Sequence, residues 1–145
     1  MSAKNESALI PGLAHTPQEL SASNVTHSAM ENLGFLLAAL GAEVLDWDFK
    51  TECCGAGLSL SKTEKVVELS GRLVREAAFR GADAVVVACQ LCQANLDMRQ
   101  GQAGIPIIYF TQLMGLAFGP APAALGQDHH LVDPLALLEQ KGLTA

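Results

Sequence analysis

Apolar residues along the chain follow two patterns, one typical of helices and one typical of buried strands. From about Thr26 to Leu40 they recur every three or four positions, which predicts a helix that stops at Gly41. A second stripe predicts a helix over about 62–80, opened by a capping box in Ser61-Lys62-Thr63-Glu64. The same period predicts three further helices, at residues 90–100, 111–118 and 134–140.

Short apolar runs lie between these predicted helices. Residues 82–88 and 105–110 are almost continuously apolar, as expected for strands whose two faces are both covered in a parallel sheet. Briefer runs at residues 7–11 and 42–47 predict two more strands. Because strands and helices alternate, the pattern predicts an α/β fold with a parallel sheet and right-handed crossovers.

Length and charge narrow the class of protein. The 145 residues predict one domain over 1–145, large enough to bury a core without disulfides or metal, and residues 13–25 predict a polar loop. The 9 Lys and Arg against 15 Asp and Glu give a formal net charge of −6. This acidic balance excludes nucleic acid and anionic membrane surfaces as partners.

The sequence predicts neither a secretory leader nor a membrane span. Met1 to Ser7 is polar and mixed in charge, unlike a signal peptide, so we expect a cytoplasmic protein. The uncharged stretch between Arg99 and Asp128 contains several prolines and glycines, which break it into strand, helix and loop.

All four cysteines fall into two groups, Cys53-Cys54-Gly55 and Cys89-Gln90-Leu91-Cys92. Each group follows a predicted strand, and the carboxyl ends of parallel strands share one edge of a sheet. We therefore expect the four sulfurs to lie together at that edge. Cytosolic cysteines are more often ligands or redox groups than structural disulfides, and a helix N-terminus favours the thiolate at Cys89 and Cys92.

Several kinds of site are compatible with this set of thiols. Four thiolates suit an iron–sulfur cluster or a four-cysteine zinc site, and the adjacent pair favours a cluster, whose separate irons accept separate sulfurs. Gly55 and Gly57 would allow close backbone approach to such a cluster and amide hydrogen bonds to it. The alternatives are a dithiol oxidoreductase that uses Cys89 and Cys92, and unrelated buried cysteines.

Three segments, residues 52–57, 81–100 and 106–113, closely resemble the cysteine-rich CCG domain found in the B subunit of heterodisulfide reductase. The resemblance is to the C-terminal of that subunit's two such domains and runs from about Met30 to Leu138. It implies a Rossmann-like parallel sheet with helices on both faces and a non-cubane [4Fe-4S] cluster at the carboxyl edge of the strands. In the methanogen enzyme that cluster is where the disulfide of two coenzyme thiols is split.

By this resemblance the metal ligands are the four cysteines, and other residues hydrogen-bond around them. The ligands would be Cys53, Cys54, Cys89 and Cys92, and the surrounding residues Gly55, Gly57, Asn95 and Asp97. The family pattern has a fifth cysteine upstream, after a glycine, where this chain has Leu13 after Gly12. With that ligand missing, the alternatives are an ordinary cubane cluster, a zinc ion or no metal.

The resemblance implies an iron–sulfur redox subunit or domain of a heterodisulfide reductase-like complex, which exchanges electrons with a disulfide, a thiol or a related substrate. It would be a component of an oxidoreductase rather than active alone, and no catalytic residue is identified. The implied partners are a second CCG domain, a ferredoxin-like iron–sulfur subunit and a flavoprotein subunit. The competing hypothesis is a degenerate CCG domain that serves assembly, with structural zinc or no metal.

Overall fold

The computed structural model describes residues 29–50 and 52–143, with side chains from residue 33 onward. Five α-helices and two strands lie in this part of the chain. In chain order they are α1 (Ala29–Ala39), α2 (Thr63–Phe79), β1 (Val85–Val87), α3 (Gln90–Arg99), β2 (Ile107–Tyr109), α4 (Phe110–Ala117) and α5 (Leu135–Gln140). Short 3₁₀ helices occupy Ala56–Leu58, Pro122–Leu125 and Gln127–His129.

The two strands form a small parallel sheet. Val85 pairs with Ile107, and the register continues through Val86 with Ile108 to Val87 with Tyr109. Since α3 lies between the strands in the chain, β1, α3 and β2 form one strand–helix–strand unit. This unit places the start of α3, and with it Cys89, just beyond the carboxyl end of β1.

Hydrophobic side chains pack on both faces of this sheet, which explains why its strands are almost continuously apolar. Ile108 belongs to one cluster, together with residues of α1, α4 and α5. Ile107 belongs to a second cluster, with residues of α2 and α3 and with Cys54. The first cluster consists of Leu37, Ala42, Ala84, Ile108, Leu113, Leu116 and Leu138. The second consists of Cys54, Leu73, Val74, Val87, Leu96, Ile105 and Ile107.

The sheet is smaller than the sequence predicts. The strand predicted at 42–47 is reduced to a single β-bridge at Ala42, and residues 43–47 form no strand. The strand predicted at 7–11 and the polar loop predicted at 13–25 lie outside the described residues. Within the described ranges the protein is therefore a mixed α/β structure around two parallel strands, and the larger Rossmann-like sheet stays a prediction.

The helices predicted from periodicity are confirmed to within a few residues, but the capping box is wrong. Lys62, not Ser61, occupies the N-cap of α2, and it makes no side-chain cap. The Ser61 hydroxyl instead donates to the carbonyl of Leu58, and the Thr63 hydroxyl donates to the carbonyl of Ser59. The Ser61 backbone N–H also donates to the carbonyl of Leu58, so Ser61 still belongs to the preceding turn and the helix begins after it.

In the described part of the chain, no helix is long and apolar enough to cross a membrane.

Because the central strand residues are buried, we expect their substitution to lower the free energy of unfolding. Ile107→Ala and Ile108→Ala each remove a fully buried side chain, so each should lower the free energy of unfolding by about 2–5 kcal/mol. Phe79→Ala is the control, because Phe79 is 85% exposed and should change that free energy by less than about 0.5 kcal/mol. Urea denaturation followed by circular dichroism measures the free energy of unfolding of all three variants. A loss in the isoleucine variants no larger than that in Phe79→Ala would contradict the burial of these two strand residues.

Candidate metal centre

The four cysteines come from two loops that meet beside the sheet. Cys53 and Cys54 precede the 3₁₀ helix Ala56–Leu58, which contacts both α2 and α3. Cys89 is the N-cap residue of α3, and Cys92 lies in the first turn of that helix. The packing of α2 against α3 therefore brings together two cysteine groups that are well separated in the sequence.

The sulfurs divide into an inner pair and two outer thiols. Cys54 is 3% exposed, and its thiol donates to the Sγ of Cys92 at a distance of 3.3 Å. Cys53 and Cys89 are exposed, and the Sγ of Cys53 accepts a hydrogen bond from the Gly55 N–H at 3.3 Å. All four cysteines are free thiols. The two loops are thus joined through the buried pair, while the other two thiols face solvent.

The surroundings shift the pKa values of two thiols in opposite directions. The backbone N–H of Cys92 lowers the pKa of the Cys89 thiol, and the Cys92 side chain and the Leu91 N–H act in the same direction. These groups are at the start of α3, where unpaired amides favour a negative charge. Burial raises the pKa of the Cys92 thiol, and the sulfurs of Cys54 and Cys89 raise it further. Of these two thiols, Cys89 therefore holds a negative charge more easily than Cys92.

A buried hydrogen-bond network fixes the backbone at Cys54. The carbonyl oxygen of Cys54 accepts from the Asn95 side-chain amide at 2.9 Å and from the Ser70 hydroxyl at 3.2 Å. The same Asn95 amide donates to the Ser70 oxygen at 2.8 Å, and Arg99 donates to the Asn95 oxygen at 2.7 Å. Ser70 and Asn95 are both buried. The network therefore ties the cysteine loop to α2 and α3 at once.

Gly55 and Gly57 are not equivalent in this loop. Gly55 is buried with a φ of 78°, and a Cβ there would lie 3.0 Å from Cδ1 of Leu69. A Cβ on Gly57 would meet nothing within 4 Å. Gly55 is therefore required by both its conformation and its packing, whereas Gly57 is in open space.

Asp97 and His130 make their contacts away from the cysteine loop. The carboxylate of Asp97 accepts from the backbone N–H groups of Leu131 and Val132, so it anchors the segment that follows the last 3₁₀ helix. Nε2 of His130 lies 3.0 Å from the Gln112 amide nitrogen.

At the sheet edge, the Tyr109 hydroxyl donates to the carbonyl of Ala88, the residue before Cys89. This bond links the end of β2 to the chain that leads into α3.

The four thiols are suitable ligands for a soft metal ion, but only two of their sulfurs are already at a suitable spacing. A tetrahedral site with metal–sulfur bonds of about 2.3 Å has sulfurs spaced by slightly under 4 Å, and the Cys54–Cys92 contact is close to this spacing. Over the described ranges, no three His, Cys, Asp or Glu side chains are already arranged around one point. The inner pair is in place, and the outer thiols would have to turn toward it.

Ser70 is the residue of this site that sequence reasoning misses. It falls on the apolar stripe of α2, among the positions that the periodicity assigns to the core. The sequence does indicate that Ser70 makes a hydrogen bond, since a hydroxyl on the buried face of a helix needs a partner. The sequence does not show that this partner is a carbonyl in the cysteine loop.

The network at Cys54 should stabilise the whole cysteine loop. Asn95→Ala removes the donor to two buried oxygens and leaves Arg99 without its acceptor, so the free energy of unfolding should fall by about 1–3 kcal/mol. Met98→Ala in the same helix is the control, because Met98 is exposed and should cost little. Chemical denaturation compares the two, and an equal effect would show that the network does not stabilise the loop.

The two glycines should respond differently to a methyl group. Gly55→Ala forces a Cβ into a left-handed conformation against Leu69, and it should destabilise the protein by about 1–3 kcal/mol. Gly57→Ala should change the free energy of unfolding by less than about 0.5 kcal/mol. Thermal unfolding followed by circular dichroism measures both, and tolerance of Gly55→Ala would refute the tight packing of this loop.

Comparison with known families places both cysteine groups within one family model. A model of the CCG cysteine-rich domain matches residues 15–97, which is more than half of the chain and includes all four cysteines. The match also includes Ser70 and Asn95, the two residues that hold the Cys54 carbonyl.

Several curated proteins are similar over most of this chain. The 8-methylmenaquinol:fumarate reductase membrane anchor subunit of Wolinella succinogenes is 30% identical over 110 residues, covering 70% of this chain and 39% of that protein. The B subunit of the ferredoxin/F420H2-dependent CoB-CoM heterodisulfide reductase of Methanosarcina acetivorans is 30% identical over 113 residues, covering 71% of this chain and 38% of that protein. The B subunit of the ferredoxin:CoB-CoM heterodisulfide reductase of Methanosarcina mazei is 29% identical over 113 residues, with the same coverage of 71% and 38%.

The chain spans only 38–39% of the length of these relatives. The shared part contains the paired cysteine loops, and the resemblance to the B subunit of heterodisulfide reductase inferred from the sequence is confirmed. On these grounds the chain belongs to the family of CCG cysteine-rich domains.

Proposed function

We propose that this chain is an iron–sulfur redox subunit or domain of a heterodisulfide reductase-like complex. The observation that carries the proposal is the contact between Cys54 and Cys92, because it brings thiols from two distant loops together beside a buried hydrogen-bond network. Relatives at about 30% identity are named as reductase subunits, which supports a redox role.

In this proposal all four cysteines bind the metal, two from the buried side of the site and two from the solvent side. Cys54 and Cys92 form the inner side of the site, and the exposed Cys53 and Cys89 close it from solvent. Thiolates are the ligands that iron–sulfur clusters prefer. The bound group would be a [4Fe-4S] cluster, of the non-cubane type if the family pattern holds, and it would supply electrons to a disulfide or a related substrate.

The protein's own contribution is to hold the ligands before metal binds. Asn95 and Ser70 keep the Cys54 backbone in place, so the loop loses little conformational entropy on binding. The Gly55 N–H already donates to the Cys53 sulfur, and such bonds stabilise negative charge on a thiolate. Asp97 holds a different segment, because its carboxylate fixes residues 131 and 132 against α3.

The setting and the partners are part of the proposal. The matched part covers only 38–39% of these relatives, so a second CCG domain would supply the remainder of the subunit. A ferredoxin-like iron–sulfur subunit and a flavoprotein subunit would deliver electrons. Exposed Leu58, Leu60 and Leu91 lie close in sequence to the cysteines and offer apolar surface for such partners. Four free thiols fit a reducing cytoplasm.

Metal and sulfide analysis tests the proposal directly. The chain purified without oxygen, or reconstituted with iron and sulfide, should contain iron and acid-labile sulfide in similar amounts and absorb visible light. Zinc alone would instead favour a structural site of four cysteines, and absence of both metals after reconstitution would support a degenerate assembly domain. Either of these results would overturn the redox proposal.

Substitutions identify the ligands in the same assay. Cys54→Ser and Cys89→Ser should each remove most of the bound iron, because each deletes a thiolate ligand. His129→Ala is the matched control, since His129 is exposed and should leave the iron content unchanged. Circular dichroism of each variant confirms folding. Full iron occupancy in a folded cysteine variant would remove that residue from the ligand set.

A further inference from the structure

The geometry of the thiols points to chemistry that does not involve metal. Cys54 lies in the loop before α2 and Cys92 in the first turn of α3, yet their sulfurs are 3.3 Å apart and both are free. Two sulfurs in such contact are placed for oxidation to a disulfide, whose S–S bond is about 2.05 Å long. This pair differs from the Cys89 and Cys92 pair that the C-x-x-C spacing predicts.

Three of the thiols form a line from solvent into the core. Cys89 is exposed, Cys92 is half-buried and Cys54 is buried within the second hydrophobic cluster. Cys92 is next to both of the others, because its sulfur accepts from Cys54 and it lies in the first turn of α3, whose N-cap residue is Cys89. Cys92 is therefore placed to pass a disulfide from Cys89 to Cys54.

We propose that the chain, when it holds no metal, exchanges thiols with small neutral disulfides through a relay from Cys89 to Cys92 to Cys54. The Cys89 sulfur attacks a disulfide RSSR, which breaks the S–S bond, forms a mixed disulfide and releases one RSH. Cys92 then attacks the Cys89 sulfur and releases the second RSH. Finally Cys54 attacks the Cys92 sulfur, and Cys89 returns to the thiol form.

The relay is balanced in atoms and electrons. Two protein thiols lose two electrons and two protons, and RSSR gains them and leaves as two RSH molecules. The product carries a Cys54–Cys92 disulfide, so two of the proposed metal ligands are blocked until a dithiol reductant reopens the bond. The relay does not depend on the proposed metal function, because it requires only the thiols and their positions.

The surroundings of Cys89 indicate the class of disulfide. Leu91, next to Cys89 in the turn, is exposed and apolar. The net charge of the chain is −6, which disfavours the approach of an anionic disulfide such as glutathione disulfide. A neutral aromatic disulfide is therefore the suitable probe, and dipyridyl disulfide has the further advantage that its released thiopyridone absorbs light.

The test uses the full chain, reduced and freed of metal by a chelator without oxygen, in a Cys53→Ser background that removes the other exposed thiol. One equivalent of dipyridyl disulfide should release two thiopyridones per chain, and peptide mass spectrometry should identify a Cys54–Cys92 link. Adding Cys92→Ser should stop the reaction at one thiopyridone, with pyridylthiol attached to Cys89. Adding Cys89→Ser should slow release at least about tenfold.

Other outcomes would overturn the relay. A predominant Cys89–Cys92 link would show that the reaction ends at the C-x-x-C pair, and no link at all would show that the buried thiol does not react. Circular dichroism confirms that each variant is folded, and the chain with all four cysteines shows whether Cys53→Ser alters the product.

Metal loading separates this proposal from the proposed function. The reduced native chain should take up iron and sulfide, and the chain with the Cys54–Cys92 link should not do so until it is reduced. If the link forms but the reduced chain binds no iron, the proposed function fails and the relay stands. If the reduced chain binds iron and no link forms, only the relay fails.

Discussion

The buried carbonyl oxygen of Cys54 is the group on which the arrangement of the cysteines depends. A buried carbonyl without a partner is costly, and this one is satisfied by side chains from two helices, Ser70 on α2 and Asn95 on α3. The loop therefore stays in place only while α2 and α3 are packed together. The same packing brings the Cys92 sulfur to the Cys54 sulfur. The contact between α2 and α3 therefore forms part of the core and also positions the cysteines.

The division of the thiols into inner and outer pairs has consequences for chemistry. Cys54 and Cys92 are shielded and fixed, while Cys53 and Cys89 remain accessible. An inner pair suits stable metal binding, and accessible outer thiols allow a metal or a small disulfide to enter. Under the two proposals, metal and disulfide would compete for the same two sulfurs, because a sulfur in a disulfide is no longer a thiolate ligand. Redox conditions would thus decide which use the site has.

Local patterns were sufficient to predict the helices and the two strands of the described sheet. Their apolar residues recur with the period of the element, and both faces of β1 and β2 are covered by hydrophobic clusters. Residues 42–47 show where such patterns fail. Val44 and Leu45 are apolar in a short run, but only Ala42 makes a β-bridge, so an apolar run alone does not establish backbone pairing.

The capping box before α2 failed for a related reason, because the turn that precedes the helix extends through Ser61. Ser61 and Thr63 bond backward to the turn at Leu58 and Ser59. A sequence motif records which groups are available to a helix cap. It does not record where the preceding turn ends, and here that turn includes Ser61, so the N-cap falls at Lys62.

The sequence by itself determined the family, the two groups of cysteines and their position next to α2 and α3, because spacing and residue type are local properties. Only the tertiary structure decided which sulfur is buried and which thiols meet. It also decided that Ser70 and Asn95 share one acceptor, whereas Asp97 serves a different loop. These contacts join residues far apart in the chain, and helix packing, rather than any local pattern, sets the distances between them.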